Sequence, residues 1–141
     1  MVDLDDGGRA AAGCCGSTGP AFNAQVASDL MGAIVSGSLD RIDALLHPQA
    51  TWWVQGWGMM TRAQFLEAVA GTIRRASVRV MKVQSLTAQD DRVAAEALGS
   101  FAFAEGEYCN SYVYLLTMAD GLILRGREYM DTQVAARFFG R

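Results

Sequence analysis

The sequence predicts an α+β fold, and three observations carry that prediction. Through the first half of the chain, apolar residues recur every three to four positions, the period of a helix buried along one side. The second half switches to segments rich in alternating residues, separated by short turn signals. Helices gathered early and antiparallel strands gathered late make this an α+β fold, an antiparallel sheet with helices against one face. The length of 141 residues suits a single domain, most of which run about 100–150 residues. With 51% hydrophobic and 19% charged residues, the chain holds enough apolar matter for a core and does not have the composition of a disordered protein.

Residues 1–19 are rich in Gly, Ala and Asp without an apolar period. They read as a flexible N-terminal tail that carries Cys14 and Cys15, and residues 20–141 as the folded domain. Pro20 suits the first position of a helix. Phe22, Val26, Leu30 and Ile34 then step along one face, and Gly37 is the stop. Ser38 caps a short second helix that turns Leu39, Ile42, Leu45 and Leu46 inward and ends at Pro48. Ala50 to Gln55 has the aromatic and β-branched content of a strand. Gly56 and Gly58 loosen the chain before a capping box at Thr61 and Gln64. That box opens a third helix with Phe65, Leu66, Val69 and Ile73 inward. Strands follow over 78–88, 93–104, 107–118 and 122–130, with Asp120-Gly121 as a tight hairpin signal. Asp131 caps a short terminal helix that runs through Phe138.

Charge and composition exclude several functions. Twelve Lys and Arg against fifteen Asp and Glu leave a net charge of −3, so no basic excess is present to neutralise a phosphate backbone, and no nucleic-acid partner is expected. The apolar runs fall short of the roughly 20 residues of a membrane span, and no membrane partner is expected. Asp3, Asp5 and Asp6 stand where a signal peptide carries positive charge, which predicts a cytoplasmic protein. Three cysteines without a CxxC pair, and His47 as the single histidine, give no disulfide framework or multi-histidine metal centre. The expectation is chemistry with no metal and no cofactor. His47 reads as a helix C-terminal residue, where a cation is favoured.

A sheet with helices on one face has a concave side that is either filled or left as a pocket, and the aromatic content favours a pocket for a ring-bearing ligand. In the last strand, Leu122, Leu124, Gly126, Glu128 and Met130 share one parity, while Arg125 and Arg127 share the other. Glu128 therefore falls on the apolar face, where lost hydration raises a carboxyl toward proton transfer near neutral pH. The alternatives are an ion pair with an arginine or an exposed rim position. Glu96 is a second candidate buried carboxylate. Tyr108, Asn110, Tyr112 and Tyr114 share one face of their strand, either as hydrogen-bond donors to a ligand oxygen or as packing and dimer residues. Met59 and Met60 form either a lip over the pocket or core filling. Cys109 reads as a small buried hydrophobe, and Gly126 as a bulge or bend.

Three segments carry a family resemblance: Gly37-Ser38-Leu39-Asp40 through Leu45-Leu46, Ala50-Thr51-Trp52-Trp53-Val54-Gln55-Gly56, and the ending. In that ending, Asn110-Ser111-Tyr112-Val113-Tyr114, Asp120-Gly121-Leu122-Ile123 and Arg127-Glu128-Tyr129-Met130-Asp131-Thr132 stand in succession. Over about residues 20–135 the pattern resembles the SnoaL-like family of the nuclear transport factor 2-like superfamily. The resemblance implies a conical α+β barrel with a deep pocket, and a homodimer packed through the sheets. This superfold hosts isomerases, cyclases, lyases, hydrolases and plain binding modules, so the activity rests on individual residues.

Glu128 matches the position where SnoaL-type cyclases and limonene-epoxide hydrolases place an aspartate acting as acid or base. The Arg-x-Asp pair of those hydrolases has no match in Ala94-Ala95-Glu96-Ala97, which counts against their route. The polar groups of ketosteroid isomerases fall on Val54, Leu30 and Tyr112 or Val113, and the resemblance does not extend to that machinery. The resulting expectation is a cofactor-free isomerase, cyclase, lyase or hydrolase acting on a small apolar, ring-bearing molecule. Glu128, Asn110 and Tyr112 are its catalytic candidates; Trp52, Val54, Trp57, Tyr108, Glu96 and Leu124 are its substrate-binding candidates. The rival is a non-catalytic binding or dimerisation module in which Arg127, Arg125 or another cation ties up Glu128 and aromatics fill the pocket.

Overall fold

The computed structural model describes residues 18–140. Most of the expected N-terminal tail, with Cys14 and Cys15, lies outside the described residues. Helix α1 runs Pro20–Ser36 and ends at Gly37, whose left-handed φ of 71° lets its N–H turn back to the carbonyls of Ala33 and Ile34. Helix α2 (Leu39–Leu45) starts where Ser38 accepts the N–H of Arg41. Strands β1 (Leu46–Val54) and β2 (Gly58–Thr61) follow. Helix α3 (Arg62–Arg75) opens with the reciprocal capping box of Thr61 and Gln64. Then come β3 (Val78–Gln89), β4 (Arg92–Phe103), β5 (Gly106–Ala119), β6 (Leu122–Met130) and helix α4 (Thr132–Phe139). Asp131 caps α4 by accepting the N–H groups of Gln133 and Val134.

The six strands form one curved, open sheet in the order β2-β1-β6-β5-β4-β3. The α+β class stands, with one difference from an all-antiparallel sheet: β1 runs parallel to β6. The strand is also longer than the sequence suggests, starting at Leu46 and carrying Pro48. That proline is tolerated because the β1–β6 register is irregular between Leu46 and Thr51, where no ladder N–H is demanded. His47 consequently lies in β1 rather than at a helix end, and its Nδ1 accepts the N–H of Gln49 at 3.0 Å. The Gly58 segment expected to be loose is strand β2, zipped to β1 from Val54↔Gly58 to Thr51↔Thr61.

Helix α1 packs on β3 and β4, and α3 on β1 and β2. Leu30, Met31, Ile42, Trp52, Val93, Leu116 and Ile123 are fully buried between these layers, each side chain stabilising the fold by roughly 1.5–3 kcal/mol. Along β5, Tyr108, Asn110, Tyr112 and Tyr114 are buried, while Cys109, Ser111 and Val113 point outward. Cys109 is thus exposed, correcting the expectation of a buried thiol: it shares the parity of the outer face. Among the described residues, no helix is long and apolar enough to cross a membrane.

Candidate functional site

A cavity of about 360 Å³ opens between the inner face of the sheet and helices α3 and α4. Its floor depends on two glycines. A Cβ on Gly126 would stand 2.1 Å from Cε3 of Trp52, and one on Gly99 would stand 2.7 Å from Cε2 of Tyr112. Aromatic rings occupy the space that side chains would take at these strand positions. Trp52 is held on another side by Phe65, stacked at 4.1 Å between ring centroids.

Glu128 sits at the centre of this wall. In the sheet it stands between Val54 of β1 and Tyr114 of β5. Trp52 lies two residues back along β1, on the same face, and its Nε1–H donates to Oε2 of Glu128 at 3.1 Å. The other oxygen, Oε1, accepts no hydrogen bond among the described residues. Burial pushes the Glu128 carboxyl up to about 7, against the opposing pull of the Trp52 hydrogen bond. Neither arginine of its strand reaches it. Arg127 lies on the opposite face, 4.4 Å over the Trp53 ring, and donates to the Tyr129 hydroxyl at 2.9 Å; Arg125 is exposed.

Tyr112 and Tyr114 line the same cavity. Burial raises both hydroxyls well above the ordinary tyrosine value, with nearby ionisable groups adding to it, so both stay neutral and able to donate hydrogen bonds. Among the described residues, no Lys, Arg or His lines the cavity. Among the described residues, no group of three or more His, Cys, Asp or Glu could hold a metal ion.

The cavity brings together six of the nine residues expected from sequence: Trp52, Val54, Trp57, Tyr108, Tyr112 and Glu128. Three stand apart. Asn110 is buried, but its amide is consumed: Nδ2 donates to the Tyr108 hydroxyl at 2.7 Å and the Asp131 carbonyl at 2.9 Å. Its Oδ1 accepts the N–H groups of Ser111 at 2.8 Å and Asp131 at 3.1 Å. Asn110 therefore staples β5 to the start of α4 and has no donor left for a ligand. Glu96 faces outward and accepts from Ser85 Oγ at 3.2 Å. Leu124 leaves the wall because the β5–β6 register slips between Thr117 and Met118, and Ile123 takes the inward side.

The sequence reading counted Tyr114 among the aromatics of a pocket without naming it a site residue, and it did not place Thr72 or Phe139 in the lining. Tyr114 carried a signal, the parity it shares with Tyr112. Thr72 and Phe139 come from α3 and α4, and only the docking of those helices over the sheet reveals them.

A curved sheet backed by helices, enclosing an apolar cavity around one unpaired carboxyl, defines a class of small pocket proteins. Within that class the chain belongs to the SnoaL-like domain family, whose model matches residues 27–126. Solved structures share the fold at low identity. The BvnE pinacolase of Penicillium brevicompactum aligns with a TM-score of 0.78 and 12% identity, over 85% of this chain and 90% of that one. An epoxide hydrolase of M. tuberculosis described as LEH-like gives a TM-score of 0.73 and 14% identity, over 86% and 98%. A nuclear transport factor 2-like protein of Burkholderia xenovorans gives 0.69 and 19%, over 84% and 96%. No curated protein sequence matches the chain.

Proposed function

We propose that the protein is an enzyme that moves a proton to or from a small, ring-bearing, largely apolar molecule, with Glu128 as the acid or base. The observation that carries this reading is a carboxyl with one free oxygen, facing an apolar cavity in which, among the described residues, no cation compensates it. A group poised near pH 7 exists in both protonation states under ordinary conditions, which is the requirement for efficient proton transfer. Tyr112 and Tyr114 supply neutral hydroxyls to a developing oxyanion. The reactions compatible with one such carboxyl are isomerisation, cyclisation, lyase chemistry and hydrolysis. The pinacolase and epoxide hydrolase of the same fold act in this range.

The rival module predicts that Glu128 is tied to Arg127, Arg125 or another cation and that aromatics fill the pocket. The open volume and the outward orientation of Arg127 favour the enzyme. The test is a turnover screen of ring-bearing ketones, epoxides and diols, followed by Glu128→Gln. Turnover should fall about 10²–10⁴-fold with KM little changed. A variant that turns over at the wild-type rate removes Glu128 from the mechanism, and tight binding without turnover in the wild type supports the module.

The proposal extends to a homodimer joined through the outer sheet face. There, Val80, Leu98 and Val113 stand 45%, 45% and 40% exposed, apolar positions open to a second copy.

A further inference from the structure

We propose that Trp52 is the positioning residue of this site: its indole N–H reserves Oε2 of Glu128 and leaves Oε1 as the oxygen that exchanges a proton with the ligand. The inference rests on the acid–base reading of Glu128 and assigns the working oxygen within it.

The geometry restricts both partners. Trp52 is 1% exposed, with Phe65 stacked on its ring and Gly126 directly against its six-membered edge. The indole therefore cannot swing away without opening the core. An indole nitrogen is a donor only. A carboxyl proton aimed from Oε2 at that N–H would set two donors against each other, so the proton belongs on Oε1, which accepts no hydrogen bond among the described residues. When Glu128 is ionised, the same N–H stabilises the carboxylate and holds it in one orientation, limiting the reorganisation that proton transfer requires. Trp52 thus opposes the effect of burial.

No other ionic group competes for this task. From β5, Tyr108, Tyr112 and Tyr114 face the cavity; among the described residues, β1, β2, β3, β4, α1, α3 and α4 contribute no titratable side chain to its lining.

The experiment follows two signals in the ligand-free protein from pH 5 to 9: the Glu128 carboxyl carbon and the Trp52 Nε1–H. The Trp52 signal should titrate with the same midpoint as the carboxyl. In Trp52→Phe, which keeps a stacked ring and removes the donor, the carboxyl midpoint should rise by about one pH unit. Gly126→Ala, which pushes the indole aside, should shift it in the same direction. With a turned-over substrate, Trp52→Phe should lower kcat with KM unchanged and move the pH profile by the same amount. If the carboxyl titrates near 7 while the Trp52 signal stays still, the inference is overturned and the acid–base reading survives. If the carboxyl titrates near the ordinary glutamate value, the acid–base reading fails and this inference with it. The wild-type comparison decides the matter even if neither variant folds.

Discussion

Trp52 and Gly126 are register partners in the parallel pairing of β1 and β6, and they fit together because one of them lacks a side chain. The 2.1 Å between Trp52 Cε3 and a Cβ on Gly126 is well inside van der Waals contact. The same contact anchors the indole whose N–H reaches Glu128. One glycine therefore links sheet packing to the chemistry of the cavity.

Gly126→Ala should accordingly cost stability through overpacking, by about 1–3 kcal/mol. Urea unfolding followed by tryptophan fluorescence measures it. A loss below a few tenths of a kcal/mol would mean that Trp52 has room to move, contrary to its burial.

Glu128 makes stability depend on pH in a direction opposite to that of most carboxylates. Its folded-state value of about 7 lies above the ordinary 4.5, so the folded protein holds a proton that the unfolded chain has already lost. The stability this group contributes is full below pH 4.5 and falls as pH rises toward 7. The whole effect is at most about 3 kcal/mol. Glu128→Gln should match the wild type near pH 4 and exceed it in stability at pH 8. Denaturant midpoints at the two pH values test this, and equal differences at both would show that the carboxyl is not desolvated.

Asn110 illustrates how the site differs from its sequence expectation. Asn110→Leu would strand the Ser111 and Asp131 N–H groups and the Asp131 carbonyl, destabilising the fold by about 2–4 kcal/mol. Below its unfolding temperature the variant should retain turnover within several-fold of the wild type. A loss approaching that of Glu128→Gln would restore Asn110 to the catalytic group.

Much of the fold is legible because its signals are local. Pro20 starts α1 through its fixed φ, while Gly37 ends it, Thr61 and Gln64 open α3, and Asp131 opens α4, each of these through a bond to a residue nearby in the chain. Alternation likewise placed Tyr112 and Glu128 on the inner face. What escaped depends on distant partners. The parallel union of β1 with β6 joins segments on opposite sides of the chain, and β2 exists only as a partner of β1. Alternation assumes an unbroken register, so the slip beside Met118 reversed Leu124 and Ile123. Parity also grouped Asn110 with the tyrosines correctly, yet could not show that Asp131 would occupy its amide.

The outer sheet face gives a separate prediction. Light scattering should find a dimer, and Leu98→Asp or Val113→Asp should yield a folded monomer, since each puts a charge at an exposed apolar position of this face. A wild-type monomer at high micromolar concentration would rule out association through this face.

The central claim is that Glu128 is poised for proton transfer inside the cavity. The most direct measurement is a pH titration of its side-chain carboxyl carbon by NMR, assigned by its absence in Glu128→Gln. The account predicts a midpoint of about 7, set by burial among apolar groups. A midpoint near the ordinary value of 4.5 would show a solvated carboxylate and contradict the account.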